Sequence, residues 1–238
     1  NVLKLKNVRT VVLDEADEML DFGFRDDMKE ILSCVPESRQ TMLFSATMNR
    51  EVRQIARQFQ VEPEQVEVGE KNQPVKTVAQ SYMQTNRKSN SVCDLINHSQ
   101  PRLTLVFCNT KRKVKEVQRE LFHKGYATAC LHGDMGQRER DTIMNTFRKG
   151  KTKVLVATDV AARGIDIEKI DMVINYDVPD KSDYYVHRIG RTGRAGKDGK
   201  ACTLISPRER GKIKDLERKL HIRIARENGP QAAEPKVV

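Results

Sequence analysis

The stretch Val-Val-Leu-Asp-Glu-Ala-Asp, residues 11–17, decides the fold class that we predict for this chain. Its apolar first half is typical of a buried strand in a parallel sheet, and its acidic second half stands where that strand ends. Open α/β sheets build their sites at the carboxyl ends of their strands. There Asp14 can hold Mg²⁺ through water, and Glu15 can activate an attacking water. The alternative is structural, because acidic residues that open a helix also suit the positive end of its dipole.

The sequence lacks a motif that such a site needs. The phosphate-binding loop Gly-x-x-x-x-Gly-Lys-Ser/Thr occurs nowhere in the 238 residues. Gly150-Lys151-Thr152 has the ending of this loop, but position 145 is Asn145 and a helical segment precedes it. The loop must run from a strand into a helix, so we predict a helix-ending turn there.

Composition favours a polyanionic partner and disfavours some classes of protein. The net charge is +10, which indicates nucleic acid unless the charge only solvates the surface. The absence of Trp and the 5% aromatic content favour contacts to a phosphate backbone over stacking of bases. No apolar run approaches the roughly 18 residues of a membrane span. Five well-separated cysteines and the lack of a signal segment after Asn1 predict buried, reduced thiols in a cytoplasmic protein.

Strand-like and helix-like segments alternate, which predicts an α/β fold with mostly parallel sheets. Apolar residues at helical spacing predict helices around 28–35 and 52–59, the second capped by Asn49. Further helices are predicted near Asn90–Asn97, Lys111–His123, Gln137–Arg148, Ser182–Ile189 and Pro207–Leu220. Strands are predicted at Thr10–Leu13, Thr41–Phe44, Val78–Gln84, Leu103–Phe107, Ala127–Leu131, Lys153–Ala157, Met172–Tyr176 and Ala201–Ile205.

The polar segment 69–77 contains Gly and Pro and predicts a linker between two domains. Residues 1–68 hold only a few elements and are expected to be the carboxyl-terminal part of a first domain. Residues 78–225 are expected to form a second, complete domain, and 226–238 a frayed tail.

Three further stretches carry candidate chemistry. Tyr185–Arg194 holds three arginines and one histidine between glycines, which suits a polyphosphate, although a solvated basic turn is the alternative. In Leu155–Asp166 a strand leads to a loop where Thr158 can hold a phosphate and Asp166 a ribose hydroxyl, or Asp166 can simply cap a helix. Ser45-Ala46-Thr47 follows the second strand and on its own is weak evidence for a functional site, because small hydroxyl residues are common where a strand meets a loop.

Together these motifs resemble the DEAD-box family of ATP-dependent RNA helicases, within helicase superfamily two. The resemblance runs in the family's order through most of the chain. Its motifs are Asp14–Asp17, Ser45–Thr47, Leu105–Thr110, His132–Met135, Gln137–Arg140 and His187–Arg194.

The resemblance implies RecA-like domains and a role for each matching residue. Asp14 would position magnesium, Glu15 would be the general base, and Arg191 and Arg194 would meet the γ-phosphate of ATP, Arg194 as the arginine finger. Asp166 would lie near the ribose, and Phe107 would pack beneath the arginine-rich loop or serve only as core. Asp17, Ser45, Thr47 and His187 would couple hydrolysis to domain closure. The implied RNA-backbone contacts are Asn109, Thr110, Gly133, Gln137, Arg140 and Thr158.

The resemblance also implies ATP and magnesium as cofactors and RNA, bound largely without regard to sequence, as partner. No membrane and no obligate oligomer are expected. The phosphate loop would precede Asn1, so the 238 residues are expected to be inactive alone as an ATPase. The alternatives are an ATP-independent RNA- or partner-binding module and, less favoured because Asp17 ends the acidic motif, a DNA helicase.

Overall fold

The computed structural model describes residues 4–21, 23–68, 77–162, 167, 170–194 and 196–227. The chain divides into two compact units, Asn1–Asn72 and Gln73–Val238. The division falls inside the predicted linker 69–77, of which residues 69–76 lie outside the described residues. Within the described ranges, no helix has the length and apolar character needed to cross a membrane.

Unit 1 is a small α/β body around a two-stranded parallel sheet. Its elements are β1 (Thr10–Leu13), α1 (Ala16–Asp21), α2 (Arg25–Ser33), β2 (Gln40–Leu43) and α3 (Arg50–Phe59). The predicted cap of α3 is confirmed, because Asn49 Oδ1 accepts a hydrogen bond from the Val52 backbone N–H at 2.9 Å. Ala16, Leu20, Met28, Val52 and Ile55 form the core.

The expectation that the first strand is buried is wrong for this chain. Along β1 exposed and half-buried residues alternate, and Val12 of β1 is 55% exposed. Phe44, directly after β2, is 54% exposed. A parallel sheet normally has both faces covered, whereas the described residues of unit 1 cover only one face of β1.

Unit 2 is built on a seven-stranded, wholly parallel sheet with strand order β5-β6-β4-β7-β8-β3-β9. The strands are β3 (Val78–Gln84), β4 (Thr104–Phe107), β5 (Thr128–Leu131), β6 (Val154–Ala157), β7 (Met172–Asn175), β8 (Gly199–Ile205) and β9 (Ala225–Arg226). The helices are α4 (Lys88–Ser99), α5 (Lys111–His123), α6 (Gln137–Arg148), α7 (Asp159–Ala162), α8 (Ser182–Ile189) and α9 (Arg210–Leu220). A 3₁₀ turn, Pro207–Glu209, precedes α9. The predicted α/β class with parallel sheets is confirmed.

Two apolar layers sandwich the sheet of unit 2, because successive side chains of a strand point to opposite faces. In β4, Leu105 and Phe107 belong to the layer that also holds residues of α6, α8 and α9. Val106 belongs to the other layer, with residues of α4 and α5. A strand that is buried on both faces has an unbroken run of apolar residues in the sequence. For this reason the strand positions predicted from apolar runs lie close to the observed ones.

Two expectations fail at the level of detail. Residues 226 and 227 do not belong to a frayed tail, because Arg226 pairs with Tyr82 in β9 and the Glu227 N–H donates to the Tyr82 carbonyl; residues 228–238 of the predicted tail lie outside the described residues. The cysteines are free, as expected, but not all are buried: Cys34 is exposed, and Cys93 and Cys130 are half-buried. Cys34 is the residue that ends α2, between the buried Leu32 and Val35, and its side chain lies on the exposed side of that turn.

The turn between α8 and β8 requires glycine at one position. Gly193 has φ 69°, and a Cβ added to it would lie 2.5 Å from Val78 Cγ2 and 3.0 Å from Thr77 Oγ1. Thr77 Oγ1 also donates to the Gly193 carbonyl at 2.9 Å. The arginine-bearing turn is therefore packed directly against the amino end of β3.

We expect Gly193→Ala to destabilise unit 2 by about 3 kcal/mol, because the left-handed backbone and the overpacked Cβ each contribute about 1–2 kcal/mol. Gly196→Ala is the matched control. Gly196 has φ 74° but no atom within 4 Å of an added Cβ, so only the backbone cost applies. Urea unfolding followed by circular dichroism measures both. Equal losses would show that the close approach to Val78 does not matter.

Candidate functional site

Asp14 and Glu15 lie at the carboxyl end of β1, as the sequence predicted. Asp14 is exposed and its Oδ1 accepts a hydrogen bond from the Glu15 N–H at 2.9 Å. Glu15 is half-buried and has φ 52°, a left-handed conformation that costs a non-glycine residue about 1 kcal/mol. Strained backbone of this kind is common where a functional side chain must be held in a set direction. The strand therefore turns sharply into α1 at the two carboxylates.

The donors at this strand end suit magnesium held through water. Mg²⁺ keeps several waters and commonly uses one or two carboxylates together with phosphate oxygens. Asp14 offers one exposed carboxylate. Over the part of the chain that is described, no group of three or more His, Cys, Asp or Glu residues forms a complete protein cage for a metal.

Asp17, Ser45 and Thr47 form one hydrogen-bonded unit that joins two separate motifs. Thr47 donates to Asp17 Oδ2 from both its backbone N–H and its hydroxyl, each at 2.8 Å. Asp17 N–H donates to Ser45 Oγ at 3.3 Å, and Ser45 Oγ donates to the Thr47 carbonyl at 2.8 Å. Asp17 is only 6% exposed. A buried carboxylate needs such donors, so a change at either motif disturbs the other.

Arg188 is a site residue that sequence reasoning missed. Its side chain is almost fully buried and donates to both carboxylate oxygens of Asp159, at 2.6 and 2.7 Å. It also donates to the Asp177 carbonyl and to Asn109 Oδ1, each at 2.8 Å. Its guanidinium lies 5.2 Å from the centre of the Phe107 ring. Arg188 therefore ties the ends of β4, β6 and β7 to α8.

One signal in the sequence could have identified Arg188. It lies three residues after Tyr185, and residues three apart share a helix face. Tyr185 and Ile189 are both fully buried.

Phe107 packs beneath the arginine-rich stretch Tyr185–Arg194, as the resemblance implied. The arginine that it contacts is Arg188.

Asn109 has its side-chain groups occupied inside unit 2. Its Nδ2 donates to the Val178 carbonyl at 3.1 Å, and its Oδ1 accepts from Arg188. Its backbone N–H donates to Asp177 Oδ2 at 3.1 Å. Asn109 holds the Arg188 network in place, and its contact with RNA stays a prediction.

The other residues predicted to contact RNA lie together at the carboxyl ends of three adjacent strands. Thr110 follows β4, Gly133 follows β5 and Thr158 follows β6, and these strands are neighbours in the sheet. Gln137 and Arg140 belong to the first turn of α6, which begins at the same edge. Because the strands run parallel, all five positions fall along one edge of unit 2.

The local contacts of these residues leave an edge suited to anions. Thr110 caps α5 by accepting from the Lys113 N–H at 3.2 Å. Gly136, before α6, provides no side-chain cap, so that helix presents free N–H groups. Arg140 donates to the Ala161 carbonyl at 3.0 Å and thereby fixes α6 to α7. Gln137 is exposed and donates to Asp141 at 2.9 Å, while Thr158 Oγ1 accepts from the Ala161 N–H at 3.4 Å.

His187, Arg191 and Arg194 lie on or after α8, near the amino end of β8. All three are half-buried. Arg194 Nε donates to the Gly190 carbonyl at 3.1 Å, which folds its side chain back over the turn. Asp166, the predicted ribose contact, lies outside the described residues.

Family models match both units. The DEAD/DEAH box helicase model matches residues 1–55, and the helicase conserved C-terminal domain model matches residues 87–196. The chain is 45% identical over 230 residues to the DEAD-box ATP-dependent RNA helicase CshA of Bacillus cereus, covering 96% of this chain and 44% of that protein. It is 46% identical over 217 residues to the CshA of Bacillus subtilis, covering 90% of this chain and again 44% of the relative. The chain thus spans less than half the length of these relatives.

Comparison with solved structures also finds DEAD-box proteins. S. cerevisiae Dbp5 bound to RNA and ADP BeF3 matches with a TM-score of 0.86 and 33% identity, over 95% of this chain and 61% of that one. E. coli DEAD-box protein SrmB bound to RraA matches with a TM-score of 0.62 and 31% identity, over 68% of this chain and 100% of that one. These likenesses confirm the RecA-like fold. With the two family models in chain order, they show that the chain belongs to the DEAD-box helicase family.

Proposed function

We propose that this chain is part of an ATP-dependent RNA helicase. In this proposal the protein hydrolyses ATP with magnesium and uses the cycle to separate short RNA duplexes. Unit 1 supplies the groups that activate water, and unit 2 supplies the RNA-binding edge and the arginines. The named activity of the relatives, each an ATP-dependent RNA helicase, supports this.

The Arg188 network is the observation that carries the proposal. It fixes in one rigid piece the loops after β4 and β6, where the proposed RNA contacts lie, and the helix that leads to Arg191 and Arg194. RNA bound at the sheet edge would therefore act on the same element that positions the two arginines. A protein that couples nucleotide to RNA requires a connection of this kind.

For hydrolysis we propose that Glu15 accepts a proton from the water that attacks the γ-phosphate, while Asp14 holds Mg²⁺ through water. Arg191 and Arg194 balance the charge that develops on the transferred phosphate. Asp166 accepts a hydrogen bond from a ribose hydroxyl of ATP. Asp17, Ser45, Thr47 and His187 relay the state of the nucleotide to the rest of the protein.

For RNA we propose contacts to the backbone rather than to the bases. The proposed contact residues, Thr110, Gly133, Gln137, Arg140 and Thr158, lie beside helix amino termini. The described residues of the loops after β4, β5 and β6 include no exposed Phe, Tyr or Trp on which a base could stack. Phosphate and 2′-hydroxyl contacts make binding largely independent of sequence and distinguish RNA from DNA. Asn109 supports this edge through Arg188.

A second candidate function applies to the 238 residues alone. Because they contain no phosphate-binding loop, they would act as an RNA- or partner-binding module that does not respond to ATP. Measuring RNA affinity with and without a non-hydrolysable ATP analogue separates the two. An affinity that does not change favours the module, and a rise of tenfold or more on analogue addition contradicts it.

The 238-residue chain should show no RNA-stimulated ATP hydrolysis above background, since no loop is present to cradle the β- and γ-phosphates. Phosphate release measured with saturating RNA and Mg²⁺ tests this. The control is the Glu15→Gln variant of the same chain, which defines the background from contaminating enzymes. Turnover that this variant abolishes would contradict the prediction.

In a protein as long as the relatives, Arg194→Ala should lower kcat by about 10³-fold, as the loss of an arginine finger typically does. RNA affinity without nucleotide should stay within about twofold, because Arg194 lies away from the proposed RNA edge. Steady-state ATPase assays and fluorescence anisotropy measure the two quantities. Hydrolysis close to that of the unsubstituted protein would remove Arg194 from the active site.

Replacing Arg140 by Gln should weaken RNA binding and lower the dependence of log affinity on log salt by about 0.7, the value of one phosphate contact to a single strand. The matched control is Arg148→Gln, an exposed arginine at the other end of α6. Gln137→Ala should weaken binding with little change in the salt slope, because it removes a neutral group. Equal effects of Arg140→Gln and Arg148→Gln would indicate only a general effect of charge.

A further inference from the structure

Three exposed arginines form a corner of unit 2 that none of the family motifs includes. Arg87 follows β3, and Arg208 and Arg210 follow β8; we call these three the basic corner. β3 and β8 are adjacent and parallel, with Gln84 opposite Ile205 at their carboxyl ends. The Thr85 N–H continues the pairing by donating to the Ile205 carbonyl at 2.8 Å. The two loops therefore leave the sheet side by side.

Internal contacts fix the backbone beneath the basic corner. Ser206 and Glu209 form a capping box, in which Glu209 Oε2 accepts from the Ser206 N–H at 3.0 Å and from its hydroxyl at 2.9 Å. Lys88, beside Arg87, donates to the Tyr176 carbonyl at 2.8 Å and lies 3.5 Å from Glu209 Oε2. The loops after β3, β7 and β8 are thus bound to one another.

The carboxylate that lies between Arg208 and Arg210 in the chain, that of Glu209, is already used within the fold. Burial alone would raise the pKa of Glu209, but the Ser206 backbone N–H, Lys88, the Ser206 hydroxyl and Lys212 outweigh it and lower the pKa to about 2. Glu209 is therefore ionised at neutral pH, and its charge is balanced by Lys88 and Lys212. The guanidinium groups of the basic corner form no ion pair within the described part of the chain.

The basic corner shares an edge with the proposed RNA contacts. In the order β5-β6-β4-β7-β8-β3, β8 and β3 lie two and three strands beyond β4, or about 10 and 14 Å at the usual strand spacing. The intervening loop after β7 carries Asp177, which accepts from the Asn109 N–H, and the exposed Asp180. A strand of RNA that leaves the β4 loop on this side would reach the basic corner within a few nucleotides.

We propose that the basic corner binds the phosphate backbone of RNA that flanks the segment held at the loops after β4, β5 and β6. This inference rests on the proposed RNA-binding function and extends its surface. Arginine keeps its charge and matches phosphate oxygens with paired donors. The loops 85–88 and 206–212 contain no large exposed apolar residue, whereas the core of a protein interface is apolar and depleted of charge. The chemistry of this corner therefore fits a nucleic-acid backbone better than a protein.

The test is RNA binding by the 238-residue chain with Arg87→Gln, Arg208→Gln and Arg210→Gln combined. Fluorescence anisotropy at several salt concentrations uses unstructured RNAs of about 6 and about 16 nucleotides, near the limits of usual single-strand site sizes. For the long RNA we expect about a tenfold loss of affinity and a salt slope lower by about 2, at 0.7 for each contact. For the short RNA we expect little change.

The control combines Lys151→Gln, Lys153→Gln and Lys200→Gln. These three exposed lysines lie beside the amino ends of β6 and β8, at the opposite edge of the same sheet, so the control removes the same charge from elsewhere. Equal losses in the two triple variants would overturn the inference, as would an equal loss for short and long RNA. If Arg140→Gln weakens binding while the corner variant does not, the inference fails and the proposed RNA edge stands. If the unsubstituted chain binds no RNA at low salt, both the inference on the basic corner and the proposed RNA-binding edge fail.

Discussion

The ion pair between Arg188 and Asp159 is the interaction on which the functional end of unit 2 depends. Arg188 has 2% of its surface exposed, so its guanidinium depends on hydrogen-bond partners inside the protein, and Asp159, Asn109 and the Asp177 carbonyl accept four hydrogen bonds from it. Removing one partner of such a pair costs about 3–5 kcal/mol, because the other charge is left buried and unpaired. The loops after three strands are thus held by one side chain. The relative positions of these three loops are therefore fixed by the ion pair and hydrogen bonds of Arg188.

The parallel sheet gives unit 2 two functional ends. The loops after β4, β5 and β6 lie at its carboxyl edge, and the turn from Gly190 to Arg194 lies near the amino end of β8. α8, eight residues and about 12 Å long, runs between them. Arg188 sits in the last turn of α8 and contacts the carboxyl edge, while Gly193 packs against Val78 at the amino edge. A shift of α8 would be felt at both ends, since neither end is free to move alone.

Regular elements could be predicted from the sequence because their signals are local. α5, α6, α8 and β3 have the predicted bounds. The predicted helix Pro207–Leu220 divides into a 3₁₀ turn and α9, and the other predicted boundaries in unit 2 differ by at most two residues. α7 was missed because its four residues are too few to show a period, and it is held by Thr158 and Arg140. β9 was missed because two residues carry no strand pattern and form a strand only by pairing with β3.

The sequence by itself determined the α/β class, the parallel sheets, the family and the identity of the candidate residues, because periodicity, strand composition and motif order are properties of the chain alone. Only the tertiary structure decided which residues meet. Asp17 reaches Thr47 across thirty positions, Arg188 reaches Asn109 across seventy-nine, and Arg87 and Arg208 share a corner because β3 and β8 are neighbours. Contacts of this kind depend on the order of strands in the sheet and on the need to pair buried charges. Neither can be predicted from the spacing of residue types along the sequence.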